Sequence, residues 1–127
     1  MLKTLIFEDS AFFRQLLKET LHSRFPSMEI AEAENGKDAL QKVESLRAHL
    51  IFMDIKLPGE NGLELTKKIK ARYSDISIII LTSYDLPEYR EAAREYQADH
   101  FLSKGASTKE DILTLVQSII TERHIDN

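Results

Sequence analysis

The chain has 127 residues, no cysteine, and a net charge of −4 from 17 basic and 21 acidic side chains. That length suits one core without staples, and the absence of thiols excludes disulfides and thiolate metal centres. At 43% hydrophobic and 30% charged, the composition is globular. No basic stripe marks a nucleic-acid face, and no apolar run nears the ~20 residues a membrane span needs.

Strand-like and helix-like segments alternate along the chain. Strands are predicted near 2–7, 28–33, 49–53, 77–81 and 99–102, and helices near 10–24, 37–47, 62–72, 87–96 and 108–122. Met1-Leu2-Lys3-Thr4 enters the first strand at once, so a signal peptide is not expected and the cytoplasm is the expected location. The first helix carries Phe13, Leu16, Leu17, Thr20, Leu21 and Phe25 at helical spacing, a core-facing stripe. Asn35 with Asp38 and Asn61 with Glu64 mark the starts of the second and third helices. Ser107 with Glu110 is read as the capping box of the last helix. That helix presents Ile112, Leu115, Val116, Ile119 and Ile120 to the sheet. His22, His49, His100 and His124 show no ligand spacing.

Alternation of this kind implies βαβ units and a doubly wound parallel sheet with helices on both faces. The runs at 5–7, 50–53 and 76–81 are continuously apolar, as strands buried on both faces are. Glu29-Ile30-Ala31-Glu32-Ala33 and Asp99-His100-Phe101-Leu102 carry the charge and polarity of sheet edges. The expected strand order is therefore 2-1-3-4-5, with the topological switch between the first and third strands.

Polar residues collect where these strands end. Glu8 and Asp9 follow Leu5-Ile6-Phe7, Asp54 follows Leu50-Ile51-Phe52-Met53, Thr82 follows Ile78-Ile79-Ile80-Leu81, and Lys104 lies just past Phe101-Leu102. Singly, each has an ordinary explanation: acids favouring a helix dipole, an aspartate in a turn, a strand-end cap, a surface lysine. Together they would meet in the crevice at the carboxyl ends of the strands. Three carboxylates there repel one another unless a cation offsets them, and a hard oxygen-seeking ion such as Mg2+ suits the set. A carboxylate flanked by metal, hydroxyl and ammonium is placed to attack phosphorus. Pro58 and the glycines Gly59 and Gly62 predict a tight turn after Asp54 that leaves it uncovered at the mouth of the crevice.

Glu8-Asp9, Asp54 with Pro58 and Gly62, Thr82-Ser83, and Phe101 three residues before Lys104 make a specific combination. On these residues the chain resembles the receiver domain of two-component response regulators over nearly its whole length. The resemblance implies one receiver domain over 1–127, folded as a flavodoxin-like (βα)5 three-layer sandwich. It implies that Asp54 is the phosphoacceptor, that Asp9 ligates magnesium directly with Glu8 acting mainly through water, and that the main-chain carbonyl of Lys56 is a further ligand. Thr82 and Lys104 match groups that grip the phosphoryl oxygens, and Lys56 and Tyr84 match positions that tune the lifetime of the phosphorylated state. By the same resemblance, Thr82 moves toward the phosphoryl group and Phe101 turns inward. The surface of the fourth helix, fifth strand and fifth helix is thereby remodelled.

The implied partners are a histidine kinase or phosphotransfer protein and a downstream protein or separate DNA-binding output domain. Residues 101–107 are similar to receivers that precede helix-turn-helix domains, and a homodimer formed on phosphorylation stays open. Two departures stand out. Phe101 has no phenolic hydroxyl, and Gly105 follows Lys104 where many relatives carry a proline preceded by a cis bond. Three rivals remain in view. An aspartate-nucleophile hydrolase would want an acid where Lys56 stands, and a flavin binder would find its phosphate repelled by Glu8-Asp9. A phosphorylation-independent interaction module would leave the retained site groups unexplained.

Overall fold

The computed structural model describes residues 2–125. Met1, Asp126 and Asn127, part of the 1–127 span expected for the domain, lie outside the described residues. Five parallel strands form the sheet: β1 (Lys3–Phe7), β2 (Glu29–Ala33), β3 (Leu50–Met53), β4 (Ser77–Thr82) and β5 (His100–Ser103). Their order is β2-β1-β3-β4-β5, as the charge pattern predicts, with β2 and β5 at the edges. Five helices alternate with them: α1 (Ala11–Arg24), α2 (Ala39–Leu46), α3 (Gly62–Arg72), α4 (Pro87–Glu95) and α5 (Lys109–Arg123).

Side-chain alternation along each strand feeds two cores. Leu5, Phe7, Ile51, Met53, Ile78 and Ile80 pack with Val43 of α2, Leu65 and Ile69 of α3, and Ala93 of α4. Ile6, Leu50, Phe52, Ile79 and Leu81 pack with Leu17 and Leu21 of α1 and with Ile112, Val116, Ile119 and Ile120 of α5. The runs 5–7, 50–53 and 78–81 of the central strands are thus apolar because both faces are covered. Among the described residues, no helix is long and apolar enough to cross a membrane, and all peptide bonds are trans, Lys104–Gly105 included.

The helix starts correct two expectations. The capping box of α5 is Thr108 with Asp111, not Ser107 with Glu110: Thr108 Oγ1 accepts from Asp111 N–H at 3.0 Å, and Asp111 Oδ2 accepts from Thr108 N–H at 2.8 Å. Ser107 N–H instead closes the preceding turn onto Ser103 O. At α2, Asn35 Oδ1 accepts from Lys37 N–H at 2.8 Å, which makes a turn rather than a helix cap. Asp38 then enters the helix in the left-handed region at φ 57° with no side-chain cap. Asn61 caps α3 as predicted, accepting from Leu63 N–H at 2.7 Å.

Candidate functional site

Main-chain bonds carry the sheet's register past the strand ends into the site. Asp54 N–H donates to Phe7 O at 3.0 Å, Glu8 N–H to Ala33 O at 2.9 Å, and Lys104 N–H to Thr82 O at 2.9 Å. These bonds set Asp54 beside Glu8, and Lys104 beside Thr82. Side-chain oxygens of Glu8, Asp9 and Asp54 come within 4.8 Å of one another.

Lys104 closes the group. Its Nζ lies 2.6 Å from Glu8 Oε1 and 3.1 Å from Asp54 Oδ2. The remaining oxygens of both acids are also held: Glu8 Oε2 accepts from Ser10 N–H at 3.0 Å, and Asp54 Oδ1 from Ile55 N–H at 2.7 Å. Asp9 is exposed and accepts no side-chain hydrogen bond among the described residues. Asp54 is only 6% exposed, a correction to the expectation that the turn leaves it uncovered. The Lys104 ammonium pairs with it and with the equally buried Glu8.

One cation shared between two buried anions steadies the ammonium more than the acids. Burial pushes the Glu8 carboxyl above its ordinary range, the Asp54 charge adds to this, and the bonds from Lys104 and Ser10 recover only part. Burial alone would lower Lys104, but its hydrogen bond to Glu8 and the charges of Asp54 and Glu8 outweigh that, leaving it above the ordinary lysine range. The Lys104 ammonium also rests 4.3 Å from the centroid of the Phe13 ring.

The loop after Asp54 is built for close approach. Lys56 pairs with Asn61 and Leu57 with Glu60 in a short antiparallel ladder. Pro58 and Gly59 make the turn, with Gly59 at φ 70°, the arrangement a type II turn requires. A Cβ on Gly62 would lie 1.9 Å from the Asp54 carbonyl oxygen, so only glycine lets α3 start against the site.

Thr82 is fully buried at the end of β4, and its Oγ1 accepts from Tyr84 N–H at 3.2 Å. The Lys56 ammonium sits 5.3 Å from the Tyr84 ring and 5.7 Å from Tyr89. Phe101 is half-buried against the α2–α4 core. Three contributors were not predicted. Ser10 caps α1 and holds Glu8, Arg14 Nη1 donates to Glu8 O at 2.6 Å, and Phe13, packed at the margin of the α1–α5 core as its helical spacing predicts, also lies against the Lys104 ammonium. Ser10, following two acids before an apolar periodic run, carried a legible cap signal.

A five-stranded, doubly wound sheet with an acid cluster and a lysine at its switch point defines a receiver-type signalling domain. The response regulator receiver domain family matches residues 4–117, and the chain belongs to that family of two-component signalling proteins. It is 33% identical over 120 residues to the chemotaxis protein CheY of Halobacterium salinarum, covering 94% of this chain and 97% of that one. It is also 33% identical over 93 residues to the transcriptional regulatory protein YesN of Bacillus subtilis; there the match covers 73% of this chain but only 25% of the relative. Among solved structures, the CheY-like receiver domain protein of Methanospirillum hungatei JF-1 superposes with a TM-score of 0.88 at 25% identity, covering 98% of this chain and 97% of that one.

Proposed function

We propose that the chain is one receiver domain over residues 1–127 that works in the cytoplasm as a phosphorylation-activated switch, with Asp54 as phosphoacceptor. The observation that carries this is the Lys104 ammonium bridging Glu8 and Asp54 inside a cluster of three carboxylates. One ammonium leaves that cluster short of positive charge, so the donor set fits a hard divalent cation. Asp9, which accepts no side-chain hydrogen bond among the described residues, would ligate Mg2+ directly together with Asp54 and the Lys56 carbonyl, with Glu8 acting mainly through water, as the family resemblance implies. Bound there, Mg2+ supplies charge neutralisation for the phosphoryl oxygens.

The chain's own residues do the rest. An Asp54 carboxylate oxygen attacks phosphorus of a phosphohistidine on a histidine kinase or phosphotransfer protein. The P–O bond forms, the P–N bond breaks, and the imidazole leaves. Ile55 N–H holds the carboxylate in place. Lys104 exchanges a carboxylate for a phosphoryl oxygen, and the Thr82 hydroxyl, whose oxygen accepts from Tyr84 N–H in the resting site, donates its own O–H to another. Drawing Thr82 inward shifts the loop after β4, lets Phe101 turn, and reshapes the α4-β5-α5 surface for a downstream protein or output domain.

Acetyl phosphate with Mg2+ should add one phosphoryl group to the wild type, seen by intact mass, and none to Asp54→Asn. Chelation should abolish the addition. Equal labelling of both proteins would refute the assignment.

A further inference from the structure

The helix α4 buries a single residue, Ala93, fewer than any other helix, and its N-cap Leu86 makes no side-chain cap bond. Contacts between cations and rings hold its first turn. Besides Lys56 on Tyr84 and Tyr89, the Arg90 guanidinium lies 4.6 Å from the centroid of the Phe101 ring. Asp85 fixes that guanidinium in a two-point grip, Nε to Oδ1 at 2.5 Å and Nη2 to Oδ2 at 3.1 Å. Such an exposed pair adds little to global stability, but two parallel bonds do set the plane of the guanidinium. Asp85 follows Tyr84, whose N–H is held by Thr82 Oγ1. Contact therefore runs unbroken from Thr82 through Tyr84, Asp85 and Arg90 to Phe101. Arg90, Ala93 and Phe101 also line a shallow groove between α4 and β5, so the ring's position decides the shape of that surface.

We propose that Asp85 and Arg90 are positioning residues of the switch: Arg90, braced by Asp85, holds the Phe101 ring in its present place and lets it go when Thr82 is drawn toward phosphorylated Asp54. The proposal rests on the receiver reading above. It gives the phenylalanine what its missing hydroxyl cannot, a contact that distinguishes two ring positions. A loop shift that displaces Asp85 frees the guanidinium, and the ring loses its cover. The switch is then a two-state element biased from Asp54.

The test uses beryllofluoride as the phosphoryl mimic, titrated with Mg2+ while NMR follows the Phe101 ring. If the contact favours the resting arrangement, Arg90→Gln and Asp85→Asn both bind the mimic about two- to fivefold more tightly, the factor one exposed cation–ring contact commands. In the unliganded variants the Phe101 resonances move part of the way toward their bound positions. The double variant gains no more than either single one, since both break the same chain of contacts. Unchanged affinity with unmoved Phe101 resonances overturns the proposal, even if the melting temperature falls. A wild type that takes up no beryllofluoride overturns the receiver reading itself, and this contact's role with it.

Discussion

Two lysines are withdrawn from solvent, one at each end of the sheet, and the groups around them differ in one respect. Lys70, its side chain 7% exposed, sits by the amino ends of β4 and β5. Its ammonium bonds to Ser74 O at 3.2 Å, Ile76 O at 2.6 Å and Asp99 Oδ2 at 2.8 Å, and the same Asp99 oxygen accepts Ile78 N–H at 2.7 Å. One cation meets one anion and two carbonyl oxygens, so its three donors are all used. Lys104, at the carboxyl ends, faces Glu8 and Asp54 with Asp9 close by. One cation there meets three anions. A pair that cancels joins secondary elements together; a cluster left with surplus charge is poised to bind something else.

Breaking the balanced end should have the larger effect on stability. Lys70→Met strands the Ile76 carbonyl and an Asp99 that is one-third exposed. The expected loss is about 2–4 kcal/mol in urea unfolding, with phosphoryl labelling of Asp54 retained. A loss below about half of that would mean Lys70 is an ordinary surface lysine. At the other end, removing an anion should help the fold. Asp54→Asn relieves the repulsion and should raise stability by about 1 kcal/mol in chelator-treated buffer. Adding Mg2+ should narrow the gap, because the ion stabilises chiefly the wild type. A destabilised Asp54→Asn would place the two ends in the same class.

The sequence made the sheet order and the site's members legible for the same reason: apolar runs against charged edges name the central strands, and the polar residues at their ends must then converge. Facts that depend on neighbours distant in the chain were not legible. Helical spacing put Phe13 in the core stripe, yet could not show that this margin of the stripe borders Lys104. Ser107-x-x-Glu110 and Thr108-x-x-Asp111 both fit a capping pattern, and the turn closed onto Ser103 chose between them. Gly62 read as a turn residue, while its stronger constraint is the Asp54 carbonyl pressed against it. Nothing in Lys67-Lys68-Ile69-Lys70 marks the last lysine as buried, since its partners come from the loop leading into β4 and from the approach to β5. Asp85 and Arg90 carry no local signal, because the Phe101 ring that Arg90 meets comes from β5.

The smallest expected effect distinguishes the two ends by sign. At the balanced end, His49 Nδ1 accepts the Lys3 N–H at 3.0 Å. Burial first, then the charges of Arg123 and Lys3, hold the imidazole below its ordinary value of 6.5. As pH falls through about 6.5, the unfolded chain takes this proton before the folded one, so the stability present above that pH is lost toward the folded value. Glu8 works the other way. Its folded carboxyl lies above the ordinary 4.5, so the folded chain takes that proton first and acid relieves the crowded site. Melting temperatures should therefore drop between about pH 7.5 and 5.5 by an amount worth less than about 1 kcal/mol, His49 being half-buried. His49→Asn should flatten that slope, since an amide oxygen can still accept from Lys3 without titrating. Glu8→Gln should keep the slope but remove the offset at lower pH. A slope that survives in His49→Asn would assign the acid sensitivity to another group and leave the balanced end silent to pH.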